Sequence, residues 1–398
     1  MRARIASLAL GLVVAGCTTP QGPSGALSSQ AGLPQVAATG DRLLVIREDG
    51  NLVTMLPDGT DVVALTRRAG QGLSVRQPTW SPDGHSIAWV ELVSEGGGPE
   101  QAVFATAGPS GLDRREIQLD VGAFFLQWDP TGQRVAYLGS VQGTIGLGVV
   151  DGSQARLSIT QVGAGQPFYL SWSPDGERLL VHVNGDQLGV AGLGGDVEDL
   201  GETPAVFQAP VWLDDGGMVY AVDDGPKTRL VVRDADRVRT LATVPHGVVF
   251  VVSDTGQVAY RPIDEEGRGG PVFVTDLRGS PPEVVTRRPI VAFYWSPGGD
   301  DLLSLSVQEG EQLAFRWSVW RDRERFRSEP FLPSPEFLEG YVPFFDQYAQ
   351  AMSLWSPDGS SFVYAGLHEG LAGIWVQDLG GGSPSLVSDG SFAAWSSG

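Results

Sequence analysis

The chain of 398 residues is short of several things, and each shortage closes a line of explanation. It has one cysteine, Cys17, so no disulfide can form within it. Lysine occurs once, at Lys227, and 27 basic side chains face 47 acidic ones for a formal charge of −20. Phosphate backbones are gripped by a concentrated basic surface, so nucleic acid is not an expected partner. The four histidines, His85, His182, His246 and His368, are scattered with no pair at a metal-ligand spacing such as H-x3-H, and neither metal nor cofactor is expected. No G-x-S-x-G nucleophile elbow occurs, "LHEG" (367–370) lacks the second histidine of a zinc-protease helix, and "GVAGLGG" (189–195) has no following helix to hold a phosphate. Nothing in the chain therefore marks a catalytic residue. The apolar run Ile5–Ala15 is shorter than the roughly 20 residues that cross a bilayer.

That run nevertheless has a layout of its own. "MRARIASLALGLVVAGC" sets Arg2 and Arg4 before the apolar stretch and a small residue before Cys17, which is the layout of an export signal. Val14-Ala15-Gly16-Cys17 resembles the lipobox of bacterial lipoproteins. The resemblance implies cleavage before Cys17 and acylation of its thiol, so residues 1–16 are read as signal peptide; an ordinary secretory signal is the alternative. Without Arg2 and Arg4 the mature chain has 25 basic and 47 acidic side chains, a net of −22. From 17 to 39 the sequence is Pro, Gly, Ser and Ala without charge or apolar period, as in a flexible tether of roughly 25 Å reach. The expected location is extracytoplasmic, periplasmic or at the cell surface, with the membrane touched only through the lipid.

Residues 40–398 are repetitive. Aligned on one tryptophan, the units fall at Trp80, Trp128, Trp172, Trp212, Val252, Trp295, Trp355 and Trp395, with spacings of 48, 44, 40, 40, 43, 60 and 40. A period of 40 to 45 residues with four short strand signals per unit is the signature of a β-propeller blade. In the unit at Trp172, "FYLSW" reads as an inner strand, "SPDG" as a turn, and "ERLLVHV", "DQLGVAGL" and "DVEDLG" as the strands that follow. Proline fixes φ at one corner of the turn, aspartate bonds back to the backbone and glycine accepts φ > 0. The last unit, "FAAWSSG" (392–398), lacks its second strand, while "GDRLLVIREDGNLVTMLPDGTDVVALT" (40–66) has second, third and fourth strands but no first. The two halves complete one blade. The expected fold is all-β, an eight-bladed propeller of four-stranded antiparallel sheets closed by a composite blade, or seven-bladed if the degenerate unit at Val252 is incomplete.

The W-S-P-D-G turns at Trp80, Trp172 and Trp355 resemble the propeller repeats of TolB-like proteins, over almost all of 40–398. TolB itself has an N-terminal α/β domain and fewer blades. The resemblance implies the fold, and propellers of this kind serve as binding proteins, peptidase accessory domains, lyases and hydrolases alike.

The 60-residue spacing marks an insertion, "SEPFLPSPEFLEGYVPFFDQYAQAMSL" (328–354), expected between an outer strand and the next inner one, where the channel opens. "VPFFDQYA" resembles a segment of some TolB-like proteins. Phe337, Tyr341, Phe344, Phe345 and Tyr348 accompany Asp346 and Gln347 there, and two readings stay open: a plug of the channel, or an aromatic platform for a partner or ligand. The candidate binding set is Tyr341, Phe344, Phe345, Asp346, Gln347 and Tyr348, with His246 of "TVPHGV" at the start of an inner strand. His85 and His182 read as structural. The arginines of "WRDRERFR" (320–327) are expected to pair with Asp322 and Glu324. The expected function is a monomeric scaffold binding an envelope protein or small ligand on the channel face; the alternative is a channel-face enzyme such as a polysaccharide lyase or hydrolase.

Overall fold

The computed structural model describes residues 41–396, apart from 71, 95–99, 207, 236, 309, 311–312 and 322. The expected signal peptide (1–16), Cys17 and the expected tether (17–39) lie outside the described residues.

Each tryptophan-anchored unit becomes one four-stranded antiparallel sheet, and there are eight of them. Numbered from the first complete unit, blades 1 to 6 run over 73–119, 123–165, 168–199, 211–245, 247–286 and 290–327, and blade 7 over 332–388. Blade 8 is the composite. Its inner strand is Phe392–Trp395, and Leu43–Ile46, Leu52–Met55 and Val63–Ala64 supply the rest. The degenerate unit at Val252 is a full blade, with Val272–Asp276 and Glu283–Thr286 as its outer strands.

Burial follows from stacking sheets side by side. Inner and middle strands are covered on both faces, so Leu43–Ile46 and Phe168–Trp172 are buried at every position, while the outermost Val197–Asp199 is exposed throughout. The ring closes by β pairing: Leu43 faces Trp395 and Ile46 faces Phe392, with Arg42 N donating to Ser396 Oγ at 3.1 Å and Ser396 N to Arg42 O at 2.8 Å.

The turn chemistry is as the repeats imply. Ser81 Oγ donates to Asp83 Oδ1 at 2.6 Å and accepts from Ser86 N at 2.9 Å, while Gly84 takes φ +67°. Ser173 with Asp175, and Ser356 with Asp358, repeat the arrangement. "WDPTG" exchanges the two groups and keeps the bond, Thr131 Oγ1 donating to Asp129 Oδ2 at 2.5 Å.

The tryptophans join blade to blade. Trp128 Nε1 donates to Thr79 O, Trp172 Nε1 to Gln127 O, Trp295 Nε1 to Val251 O and Trp355 Nε1 to Tyr294 O, at 3.1 to 3.4 Å. In each case the acceptor is the residue just before the tryptophan position of the preceding blade. These residues share one end of the ring, called here the tryptophan face.

The arginine-rich hairpin departs from expectation. Arg321 and Arg325 both reach Asp301, at 3.0 and 2.6 Å, and Glu324 is taken by Arg288. Asp301 sits in the inner turn of the same blade with its side chain largely buried, and two guanidiniums compensate its charge. Asp322 lies outside the described residues.

Candidate functional site

The insertion does not connect an outer strand to an inner one. It interrupts the inner strand of blade 7. Leu332 and Pro333 pair with Leu367 and Gly366, and Ser334 N donates to Ala365 O. The strand resumes when Val363 N donates to Leu354 O and Trp355 bridges to Phe362. Opposite the single residue Tyr364 the chain therefore departs at 335 and returns at 353, and that excursion fills the channel. It contains a π-helical turn, Phe337–Tyr341, then a 3-10 turn, Val342–Phe344, and one α-turn, Phe345–Tyr348.

Successive side chains of this excursion reach different blades. Tyr348 OH lies 2.9 Å from Gln77 Oε1 of blade 1 and 3.1 Å from Phe124 O of blade 2, its single proton shared between the two acceptors. Gln347 does to blade 3 what a strand would: Leu170 N donates to its Oε1 and its Nε2 donates to Leu170 O, both at 2.8 Å. Asp346 Oδ2 accepts from Ala209 N at the entry to blade 4, at 2.9 Å. Phe345 packs on Phe293 of blade 6 with ring centroids 4.7 Å apart, and Tyr341 on Phe392 of blade 8 at 5.1 Å.

The five side chains Tyr341, Phe345, Asp346, Gln347 and Tyr348 are thus buried together, and the exposed aromatic platform does not form. Its residues are apolar or carry one polar group each, and the exposed inner-strand backbone offers matching donors and acceptors across the channel. Phe344 is the exception at 48 % exposure. His246 stands apart, half-exposed, with φ +61° and Nδ1 3.6 Å from Glu265, at the end of its strand away from the tryptophan face. His182 is structural, as expected: fully buried, with Nδ1 3.0 Å from Gln208 O and its pKa lowered by burial.

Burial sets the electrostatics of the plug. It pushes the Asp346 carboxyl up to about 6, although the bond from Ala209 N and the charge of Arg261 pull the other way. Tyr169 and Tyr294 are raised by burial and by the facing Asp346, and Arg261 is lowered by burial.

Below the plug, on the tryptophan face, the channel remains open as a recess of about 600 Å3. Its floor is Ala349, Met352 and Ser353, the returning end of the insertion, and its walls include Trp295, Trp355, Pro82, Pro297 and Pro357. A side cavity of about 210 Å3 continues it beneath Trp80 and Trp128. Another of about 200 Å3 opens between blades 4 and 5 over Asp214, Asp215 and Asp254. Asp254 borders both that cavity and the main recess; it opens to solvent, yet the atoms crowded around it raise its pKa, and the neighbouring Asp214 adds to the shift.

The recess was missed from sequence, though a signal existed. The third position of the turn is proline at Pro82, Pro297 and Pro357, and these residues line the mouth. In the consecutive units at Trp212 and Val252 that position is Asp214 and Asp254.

No protein-family model matches the chain, and no curated protein matches it in sequence. Solved structures match it in fold. A eukaryotic initiation factor superposes with a TM-score of 0.55 at 12% identity, over 90% of this chain and 98% of that one. The β-propeller domain of the trilobed protease from Pyrococcus furiosus gives 0.48 at 13%, over 80% and 98%. TolB from Acinetobacter baumannii gives 0.41 at 17%, over 73% of this chain and 63% of that one, so the chain spans less than two thirds of that protein's length. At such identities the likeness is one of fold.

Proposed function

We propose that this protein is a binding scaffold rather than an enzyme, held on the outer side of a membrane through Cys17, and that its partner docks on the tryptophan face of the propeller. One observation carries the reading: the plug stops the channel partway and turns its mouth into a recess of about 600 Å3, a size that suits a ligand or an inserted protein side-chain cluster. Because the floor is hydrogen-bonded through the insertion to blades 1 to 4, the recess is rigid before anything enters it, which lowers the entropic cost of binding. The plug residues support the site from beneath, and the partner meets tryptophan, proline and methionine.

The layout of residues 1–17 supports export and lipid anchoring. No helix of the described residues is long and apolar enough to cross a membrane. The first described residues bind the tryptophan face: Arg42 joins Ser396, and Trp395 Nε1 donates to Asp41 Oδ1.

The test compares full-length wild type and Met352→Arg, each in detergent, for capture of partners from envelope extract. The expected result is a partner retained by wild type and lost by the variant at unchanged melting temperature. Equal retention by both would overturn the placement.

A further inference from the structure

The recess and its two side cavities have an unbalanced lining. Three carboxylates, Asp214, Asp215 and Asp254, border them, and among the described residues no lysine, arginine or histidine does. Asp215 has work in its own turn, accepting from Gly217 N at 3.0 Å. Asp214 and Asp254 do not: among the described residues neither has a hydrogen-bond or ion-pair partner. The aspartates at the next turn position, Asp83, Asp175 and Asp358, are by contrast tied to serine hydroxyls at 2.5 to 2.7 Å. Replacing a turn proline by aspartate in two consecutive blades also gives up the rigidity that proline confers on a turn, and the local structure takes nothing in exchange.

We infer that the recess receives a basic segment of a partner protein, with an apolar side chain seated on Met352 and a lysine or arginine beside Asp214 and Asp254; this rests on the scaffold reading above. Charge complementarity selects the occupant. An anionic lipid headgroup or an acidic peptide would meet uncompensated carboxylates at the rim of the recess and be repelled by them. A metal ion would need further ligands, and the described residues contain no group of three His, Cys, Asp or Glu side chains placed to hold one. A guanidinium or ammonium on an extended segment satisfies both carboxylates while its neighbours cover the apolar floor, and the partly exposed Trp295 suits a cation as well.

The experiment selects from a library of displayed random dodecapeptides on the full-length protein in detergent. The selected peptides are then measured by fluorescence anisotropy against wild type, Met352→Arg and the double variant Asp214→Asn/Asp254→Asn. The expected peptides carry lysine or arginine next to an aromatic or branched aliphatic residue. Their affinity falls about tenfold in the double variant, falls with added salt, and is lost in Met352→Arg. Peptides that are uncharged or acidic but still lost in Met352→Arg would overturn the basic occupant and leave the scaffold reading standing. Selection of no peptide sensitive to Met352→Arg, or of no peptide at all, would remove both. Displacement of the peptides by micromolar calcium would overturn the inference by showing the carboxylate pair to be a cation site. Each variant's melting temperature is measured alongside; Asn replaces Asp on an exposed turn, so the double variant is expected to fold as wild type.

Discussion

Asp346→Asn should flatten the pH dependence of stability between pH 5 and pH 8. Asp346 is buried in the plug at 6 % exposure, facing Tyr169 of blade 3, Arg261 of blade 5 and Tyr294 of blade 6, and its carboxyl titrates near 6 instead of 3.8. A carboxyl with a higher pKa in the folded state than in the unfolded one holds its proton more tightly when folded. Its contribution to stability is therefore complete below about pH 3.8 and disappears as the pH rises through 6. Linkage gives about 3 kcal/mol over the full range and about 1.4 kcal/mol between pH 5 and pH 8. Asparagine keeps an acceptor for Ala209 N and has no proton to lose, so the variant's stability should fall less than the wild type's over this window, by that amount. Urea unfolding of both proteins at the two pH values measures it. Asp254, raised in the same direction, and His182, lowered, titrate in both proteins and cancel from the difference. The carboxylates whose pKa is lowered, such as Asp175 and Asp358, are already ionised at pH 5. Equal pH dependence in the two proteins would refute the buried, ionising Asp346.

Other consequences of the plug and the closure can be checked as simply. Tyr341→Ala and Tyr348→Ala each remove a buried ring and should cost roughly 3 to 5 kcal/mol, whereas Phe344→Ala should change stability by less than about 0.5 kcal/mol; the melting temperatures will rank them. Gln347→Ala strands the N–H and C=O of Leu170 inside the channel, a cost of roughly 1 to 3 kcal/mol for each unsatisfied group, read by denaturant unfolding. Deleting 392–398 uncovers the inner edge of Leu43–Ile46, and size-exclusion chromatography should show aggregation or loss of soluble protein; a monomer of full stability would contradict the closure.

What could be seen in advance depended on distance along the chain. The tryptophan spacing and the S-P-D-G turns announce blades because each blade is made of hairpins, whose hydrogen bonds join neighbours in sequence. Even the composite blade was visible, since Phe392–Trp395 and Leu43–Ile46 each left half a motif. The insertion was harder. "VPFFDQYA" is rich in aromatics whether it plugs or presents, and what decides is the set of partners, Gln77, Leu170 and Ala209, which lie 271, 177 and 137 residues away. A break in the middle of an inner strand also has no mark of its own, because 332–334 and 354–355 are too short to show a period. The recess lay between these cases: Asp214 and Asp254 stood out from the repeat, but their meaning required knowing that the third turn position faces the mouth.

The interruption of blade 7 has a further consequence for how the molecule is assembled. In a ring of blades each unit touches its two neighbours, so strain or unfolding in one could remain local. The excursion from blade 7 changes that by connecting the far side of the ring directly, like spokes meeting at a hub. Its partners on blades 1 to 4 precede it in the chain, and the strand that shuts the ring, Phe392–Trp395, follows it. The chain order therefore allows the hub to settle against an open crescent and the last strand to lock it in place, Tyr341 against Phe392. Non-local contacts of this span make folding slow. Once made, they oblige the eight blades to open together.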